Sequence, residues 1–204
     1  MYVAMDMIDK WRSGDVEAFE TIFQQYYKLV FKTAYLMVGN KEEAEDVLQE
    51  AFVAMWRSRK TFDPNKGKLT TWLCRITVNQ CTSRLRAKRV AITSLDEAKN
   101  DGFDLPDTSA QLPEELCIKQ WEYDQVVKAI GSLNGKHRAA IVLRYFGDLS
   151  YEEIAQVLEV PLGTVKSRLS QAIKILRNNI GDNVQCQTVQ ELREQPAGRA
   201  INSI

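Results

Sequence analysis

SYEEIAQVLEVPLGTVKSRLSQAIKILR, residues 150–177, carries the punctuation of two short helices meeting at a corner. Ser150 and Glu153 stand at the spacing of a capping box, in which the hydroxyl satisfies a first-turn N–H and the carboxylate reaches back to the cap. Ile154, Ala155, Val157 and Leu158 follow as an apolar face, so a short helix begins at Ser150. Four residues, Glu159 to Leu162, connect it to a second helix in which Val165, Leu169, Ala172, Ile173 and Leu176 pack inward. Two helices joined so tightly make a helix-turn-helix. The start of the second helix in such a pair enters the major groove, which makes Thr164, Lys166, Ser167, Arg168, Ser170 and Gln171 the candidate DNA contacts. Lys and Gln can read base edges, whereas Ser and Arg more often hold phosphates. A plain helical hairpin with a solvated outer face is the alternative.

The N-terminal half also has helical periodicity. From Phe19, apolar residues recur at Ile22, Phe23, Tyr26, Val30, Ala34 and Met37, and Gly39 ends the run. Asn40 is placed to cap a next helix, with Glu43 three residues on and Ala44, Val47, Leu48, Ala51, Phe52 and Met55 as its inner stripe. Its other face carries Glu42, Glu43, Glu45, Asp46, Gln49 and Glu50. Acids in a first turn follow from the helix dipole alone. Gln49 and Glu50 lie beyond that turn and suit a partner surface. A breaker-rich loop, TFDPNKGK (61–68), then leads into a helix from Leu69 to about Arg89. Leu69, Trp72, Leu73 and Ile76 form its core stripe, and Thr71, Arg75, Asn79, Thr82, Arg86 and Arg89 recur on a polar, basic face. Cations beside the aromatic Phe62 and Trp72 suit single-stranded nucleic acid, because rings stack bases while charges follow the backbone.

The charge of the whole chain sums to zero, with 27 basic and 27 acidic side chains among 204 residues, yet the signs are segregated. Lys66 to Arg89 is acid-free, 96–124 is strongly acidic, and no acid stands between Glu159 and Asp182. Two cationic modules flanking an anionic connector favour polyanion partners over ordinary solvated faces. The connector, SLDEAKNDGFDLPDTSAQLPEE (94–115), holds Gly102, Pro106 and Pro113 and reads as a flexible linker. The expected architecture is all-α: a helical domain at 1–92, an acidic linker at 93–119, a helix-turn-helix domain at 120–180, and a tail at 181–204 of open role.

Composition excludes much else. An apolar fraction of 45% and a charged fraction of 26% belong to a folded globular chain. No apolar run is long enough to span a bilayer, and Asp6 and Asp9 stand where a signal peptide would be basic and then greasy, so a cytoplasmic protein is expected. His137 is the single histidine and Cys74, Cys81, Cys117 and Cys186 form no CxxC pair, so no metal or cofactor is expected, and the thiols read as small buried hydrophobes.

Taken together, AEDVLQEAFVAMW (44–56), KLTTWLCRITVN (68–79), the basic run, the acidic linker and residues 133–176 resemble bacterial RNA polymerase sigma factors of the extracytoplasmic-function group. The resemblance covers roughly residues 10–178, in two blocks in the family's order. It implies a detachable specificity subunit without bond chemistry of its own, bound to core polymerase through the clamp helices of the largest subunit and the flap of the second largest. Asp46, Gln49, Glu50, Phe52 and Trp56 match the family's clamp-docking segment. Phe62, Lys66, Lys68, Trp72, Arg75, Ile76, Asn79 and Arg86 fall in the part that melts the downstream promoter element and captures an unstacked base. Thr164, Lys166, Ser167, Arg168, Ser170 and Gln171 fall in the reader of the duplex upstream element. The resemblance also implies an anti-sigma partner and a linker threading the polymerase cleft, for which a solvated tether is the alternative. Ser83 and Gln171 depart from the pattern: many relatives carry Asp and Arg there, so base preference cannot be transferred. Two rivals from other classes are a helix-turn-helix regulator acting without polymerase and a nucleic-acid enzyme. The enzyme lacks a convergent acid, base or metal constellation.

Overall fold

A computed structural model describes residues 5–93 and 125–180, with side chains over 5–88 and 125–179, and every regular element among them is helical. The expected acidic linker, the tail and Cys117 and Cys186 fall outside the described residues. The chain divides into two compact units, Met1–Asp101 and Gly102–Ile204.

In the first unit, α1 (Met5–Ser13), α2 (Val16–Val38), α3 (Lys41–Arg57) and α4 (Leu69–Thr93) are joined by short, well-capped connections, with a 3-10 turn at Arg59–Thr61. Asp15 caps α2 by accepting from the Ala18 N–H at 3.0 Å. Gly39 ends it in the left-handed region, at φ 79°, with its N–H donating to the Tyr35 carbonyl at 2.8 Å. Asn40 at once caps α3, its Oδ1 accepting from the Glu43 N–H at 2.9 Å. Two residues between helices force α3 to fold back on α2. Ile22, Tyr26 and Val30 of α2 then meet Ala51, Phe52 and Met55 of α3 and Leu69 and Leu73 of α4 in one buried cluster.

The nine-residue α1 is an addition to the sequence reading. It inserts Ile8 and Trp11 into this cluster, and Trp11 is fully buried against Phe62 and Trp72, with ring centroids 5.9 and 5.8 Å away. A second difference lies in α4. Thr71, expected on the polar face, is buried, so that face begins at Arg75.

In the second unit residues 125–131 form α5, followed by α6 (Gly135–Tyr145), α7 (Tyr151–Leu158) and α8 (Leu162–Ile180). Ala139 through Leu143 are buried without interruption, which makes α6 the central helix on which α7 and α8 pack. The capping box forms at α7: the Glu153 N–H donates to Ser150 Oγ at 3.2 Å, and the Ser150 N–H donates to Glu153 Oε2 at 2.8 Å. Glu159 closes α7 at φ 53°, ψ 46°, a left-handed cap in a residue that carries a Cβ. The α8 helix starts at Leu162, so the corner is one residue shorter than the four expected, because the Pro161 carbonyl already accepts from the Thr164 and Val165 N–H groups.

Between α6 and α7, Gly147 is buried where any side chain would collide: a Cβ there would lie 2.8 Å from the Leu143 carbonyl oxygen and 3.1 Å from Leu149 Cδ1. Gly147→Ala is expected to destabilise this unit by about 1–3 kcal/mol, since backbone must shift to admit the methyl. Urea unfolding of the variant beside the wild type measures it.

Candidate nucleic-acid and partner interfaces

Three surfaces collect the candidate residues. On α4, Arg75, Asn79 and Arg86 are exposed and share one face over three turns, about 16 Å of helix. Trp72 and Ile76 are half-buried at its start, with the Trp72 ring 5.3 Å from that of Phe62. The preceding loop is held by Asp63, which accepts from the Asn65 N–H at 3.0 Å and stands 3.7 Å from Lys66 Nζ. Lys66 and Lys68 both project into solvent. Phe62 does not join them. It is 3% exposed, clasped by Trp11 and Trp72, and so anchors the loop instead of offering a stacking face.

The outer face of α3 exposes Glu42, Glu45, Asp46, Gln49, Glu50 and Val53. Phe52 is again a core residue, 3% exposed and packed on Phe23 at 4.7 Å and Phe19 at 6.2 Å; it supports this face from behind. Trp56 is half-buried, edge-on to Phe19 at 5.1 Å, with the Arg59 guanidinium 4.3 Å from its ring.

Two cations of the basic run turn towards α3 instead of outward. Arg84 donates from Nη2 to Glu50 Oε1 at 2.6 Å and from Nη1 to Asp46 Oδ2 at 3.1 Å. Lys88 Nζ pairs with Glu43 Oε1 at 2.6 Å. The hydrogen bonds to Glu50 and then to Asp46 hold the guanidinium pKa above its already high ordinary value. The sequence reading missed this arrangement. Its signal was a pair of ladders at matching helical spacing, acids at 43, 46 and 50 and cations at 84 and 88.

The thiols Cys74 and Cys81 of α4 are both buried, and Cys81 lies within reach of the Arg84 charge. Burial pushes the Cys81 thiol up to about 12, only partly opposed by a backbone hydrogen bond and the charge of Arg84. At about pH 8 almost no reactive thiolate remains. Peptide mapping after iodoacetamide treatment is expected to find Cys81 unmodified in the folded protein and labelled after denaturation.

On α8, Lys166, Ser167 and Gln171 are exposed, and Thr164, Arg168 and Ser170 are half-buried beside them. The Ser167 hydroxyl donates to the Thr164 carbonyl at 3.0 Å, which leaves its lone pairs outward. Acids are absent from the first turn, so the positive helix end adds to Lys166 and Arg168. Among the described residues, no group of three or more His, Cys, Asp or Glu side chains could hold a metal ion. No helix among them is long and apolar enough to cross a membrane.

Residues 22–90 match the sigma-70 region 2 family, and residues 123–176 match sigma-70 region 4. The chain is 33% identical over 179 residues to the ECF RNA polymerase sigma factor SigW of Bacillus subtilis, covering 86% of this chain and 95% of SigW. It is 30% identical over 178 residues to the ECF RNA polymerase sigma-E factor of Escherichia coli K12, covering 85% and 92% of the two chains. In fold it is similar to the sigma factor RpoE in its co-crystal structure with the anti-sigma factor NepR from Bartonella quintana. That match has a TM-score of 0.65 at 23% identity and covers 79% of this chain and 96% of RpoE. CnrH, solved in complex with the cytosolic domain of CnrY, matches with a TM-score of 0.63 at 23% identity over 85% of this chain and 94% of CnrH. With both sigma-70 regions present in order and the likeness to SigW running through nearly the whole of that protein, the chain belongs to the extracytoplasmic-function family of RNA polymerase sigma factors.

Proposed function

We propose that this sigma factor divides its work among the three surfaces. The acidic face of α3, with Asp46, Gln49 and Glu50 in front and Phe52 and Trp56 behind, docks on the clamp helices of core polymerase. The loop bearing Lys66 and Lys68 and the face of Arg75, Asn79 and Arg86 hold the downstream promoter element as it opens. An unstacked base is received beside Trp72 and Ile76, with Phe62 as the anchor beneath. Flipping a base costs a few kcal/mol, which stacking and fitted polar contacts offset. The α8 face of Thr164, Lys166, Ser167, Arg168, Ser170 and Gln171 reads the upstream element in duplex form, while the second unit contacts the polymerase flap.

The observation that carries this reading is the separation of charge by surface. The first unit presents exposed carboxylates on α3 and the exposed cations Arg75 and Arg86 on a different helix, α4, as suits a protein that binds both a protein partner and a polyanion. A regulator acting without polymerase has no use for the first of these faces, and the sigma-70 region 2 match occupies that unit. The protein works in the cytoplasm beside polymerase and contributes binding rather than bond chemistry; it is held in check by an anti-sigma factor, a reading supported by the complex of the similar RpoE with the anti-sigma factor NepR.

Reconstituted transcription tests it. Purified chain added to core polymerase lacking its own initiation subunit is expected to give discrete start sites whose upstream sequences share two elements. If the chain is not retained by core polymerase in a pull-down, this reading is wrong.

A further inference from the structure

On the reading that α3 docks on core polymerase, the geometry points to Arg84 as an affinity-setting residue of that docking face: it neutralises part of the charge that would attract a cationic polymerase surface. The side chains of Asp46 and Glu50 are 62% and 47% exposed, and that of Arg84 is 27% exposed at the seam between α3 and α4. A partner approaching from solvent therefore meets the carboxylates first. Each gives one oxygen to Arg84, Oδ2 of Asp46 and Oε1 of Glu50, and keeps the other for an incoming donor.

The clasp thus leaves the acids reachable and reduces their field. Glu43, Asp46 and Glu50 against Arg84 and Lys88 make three acids and two bases, a net charge of −1. Without Arg84 the same group carries −2. Attraction between a charged patch and its complement scales with that charge and is screened by salt. Arg84 accordingly makes core binding weaker at low ionic strength and less sensitive to salt than the acidic residues alone would make it. The groups facing Arg84 from the adjoining helix are Asp46 and Glu50, with Glu43 and Lys88 one turn along the seam.

The test is a titration of the full-length protein against core polymerase across a salt series. Arg84→Met keeps an unbranched apolar stem against the helices and removes the charge, while Arg84→Lys keeps the charge and loses the fork. Arg84→Met is expected to bind core about two- to fivefold more tightly at low salt, the range that an exposed ion pair can shift. Its affinity should fall more steeply with salt and converge on the wild type at high salt, whereas Arg84→Lys retains the wild-type slope. Thermal unfolding of both variants shows that each is folded, and Arg84→Lys carries the slope measurement should Arg84→Met fail to fold. If Arg84→Met binds equally or more weakly at every salt concentration, or Arg84→Lys steepens the slope, Arg84 only positions the carboxylates and the inference is overturned. A separate failure belongs to the docking reading itself: Asp46→Asn with Glu50→Gln would then leave core binding unchanged.

Discussion

Replacing Trp11 with alanine is expected to cost the first unit about 3–5 kcal/mol, the range for emptying a large aromatic site in a core. Trp11 is fully buried and its ring meets both Phe62 and Trp72, so its loss uncouples α1, the loop after the 3-10 turn and the start of α4 together. Each aromatic pair adds about 0.5–1.5 kcal/mol beyond area alone, which favours the upper part of that range. One feature opposes it. Trp11 Nε1 is buried without a hydrogen-bond partner among the described residues, and an unmade bond of that kind is itself unfavourable. Trp11→Phe removes the orphan donor and keeps a ring, so its cost is expected to stay under about 1.5 kcal/mol, as for other near-conservative core exchanges. Urea midpoints of the two variants beside the wild type measure both effects. A Phe variant as unstable as the Ala variant would show that ring volume outweighs the unsatisfied donor.

For the upstream element, Lys166→Ala is expected to weaken promoter binding by about 1–3 kcal/mol at the base it reads, with little change on other sequences. Lys166 is exposed near the start of α8, where a helix in the major groove places its base contacts. Binding of the polymerase complex to a library randomised over the upstream element measures both affinity and preference. A loss equal on all sequences would assign Lys166 to a phosphate. Gln171, five residues on and also exposed, gives the complementary gain: Gln171→Arg adds a cation and should steepen the salt dependence by about one phosphate contact while changing the preferred base.

What the sequence revealed and what it hid divide along local and non-local chemistry. The capping box of Ser150 and Glu153, the Asn40 cap and the stop at Gly39 were legible because each is settled within about one turn of helix. The inner residues of α8, Val165, Leu169, Ala172, Ile173 and Leu176, were legible because a continuous helical period fixes its own face. The short α1 escaped because only Ile8 and Trp11 of its nine residues are buried, too few to declare a period. Thr71 was misplaced because a polar residue at the seam between two faces carries no signal of which side it joins. Phe52 and Phe62 were recognised as belonging to important segments, but whether an aromatic ring faces a partner or a core depends on Phe19, Phe23, Trp11 and Trp72, which arrive from other helices. The Arg84 clasp is the extreme case: its partners lie 34 and 38 residues away, and nothing short of the register between α3 and α4 brings them together.

The corner between α7 and α8 turns at Glu159, which holds a left-handed conformation, while both its own N–H and that of Val160 return to the Ala155 carbonyl. Glycine would reach that conformation without steric cost but would give the denatured chain more freedom to lose on folding; glutamate accepts the strain and narrows the denatured ensemble at the hinge. Fastened on the α7 side by these bonds and on the α8 side by the Pro161 carbonyl, which accepts from the Thr164 and Val165 N–H groups, the elbow is held by its own backbone. If α8 reads the duplex as proposed, that duplex meets a corner already ordered, which lowers the conformational cost of binding.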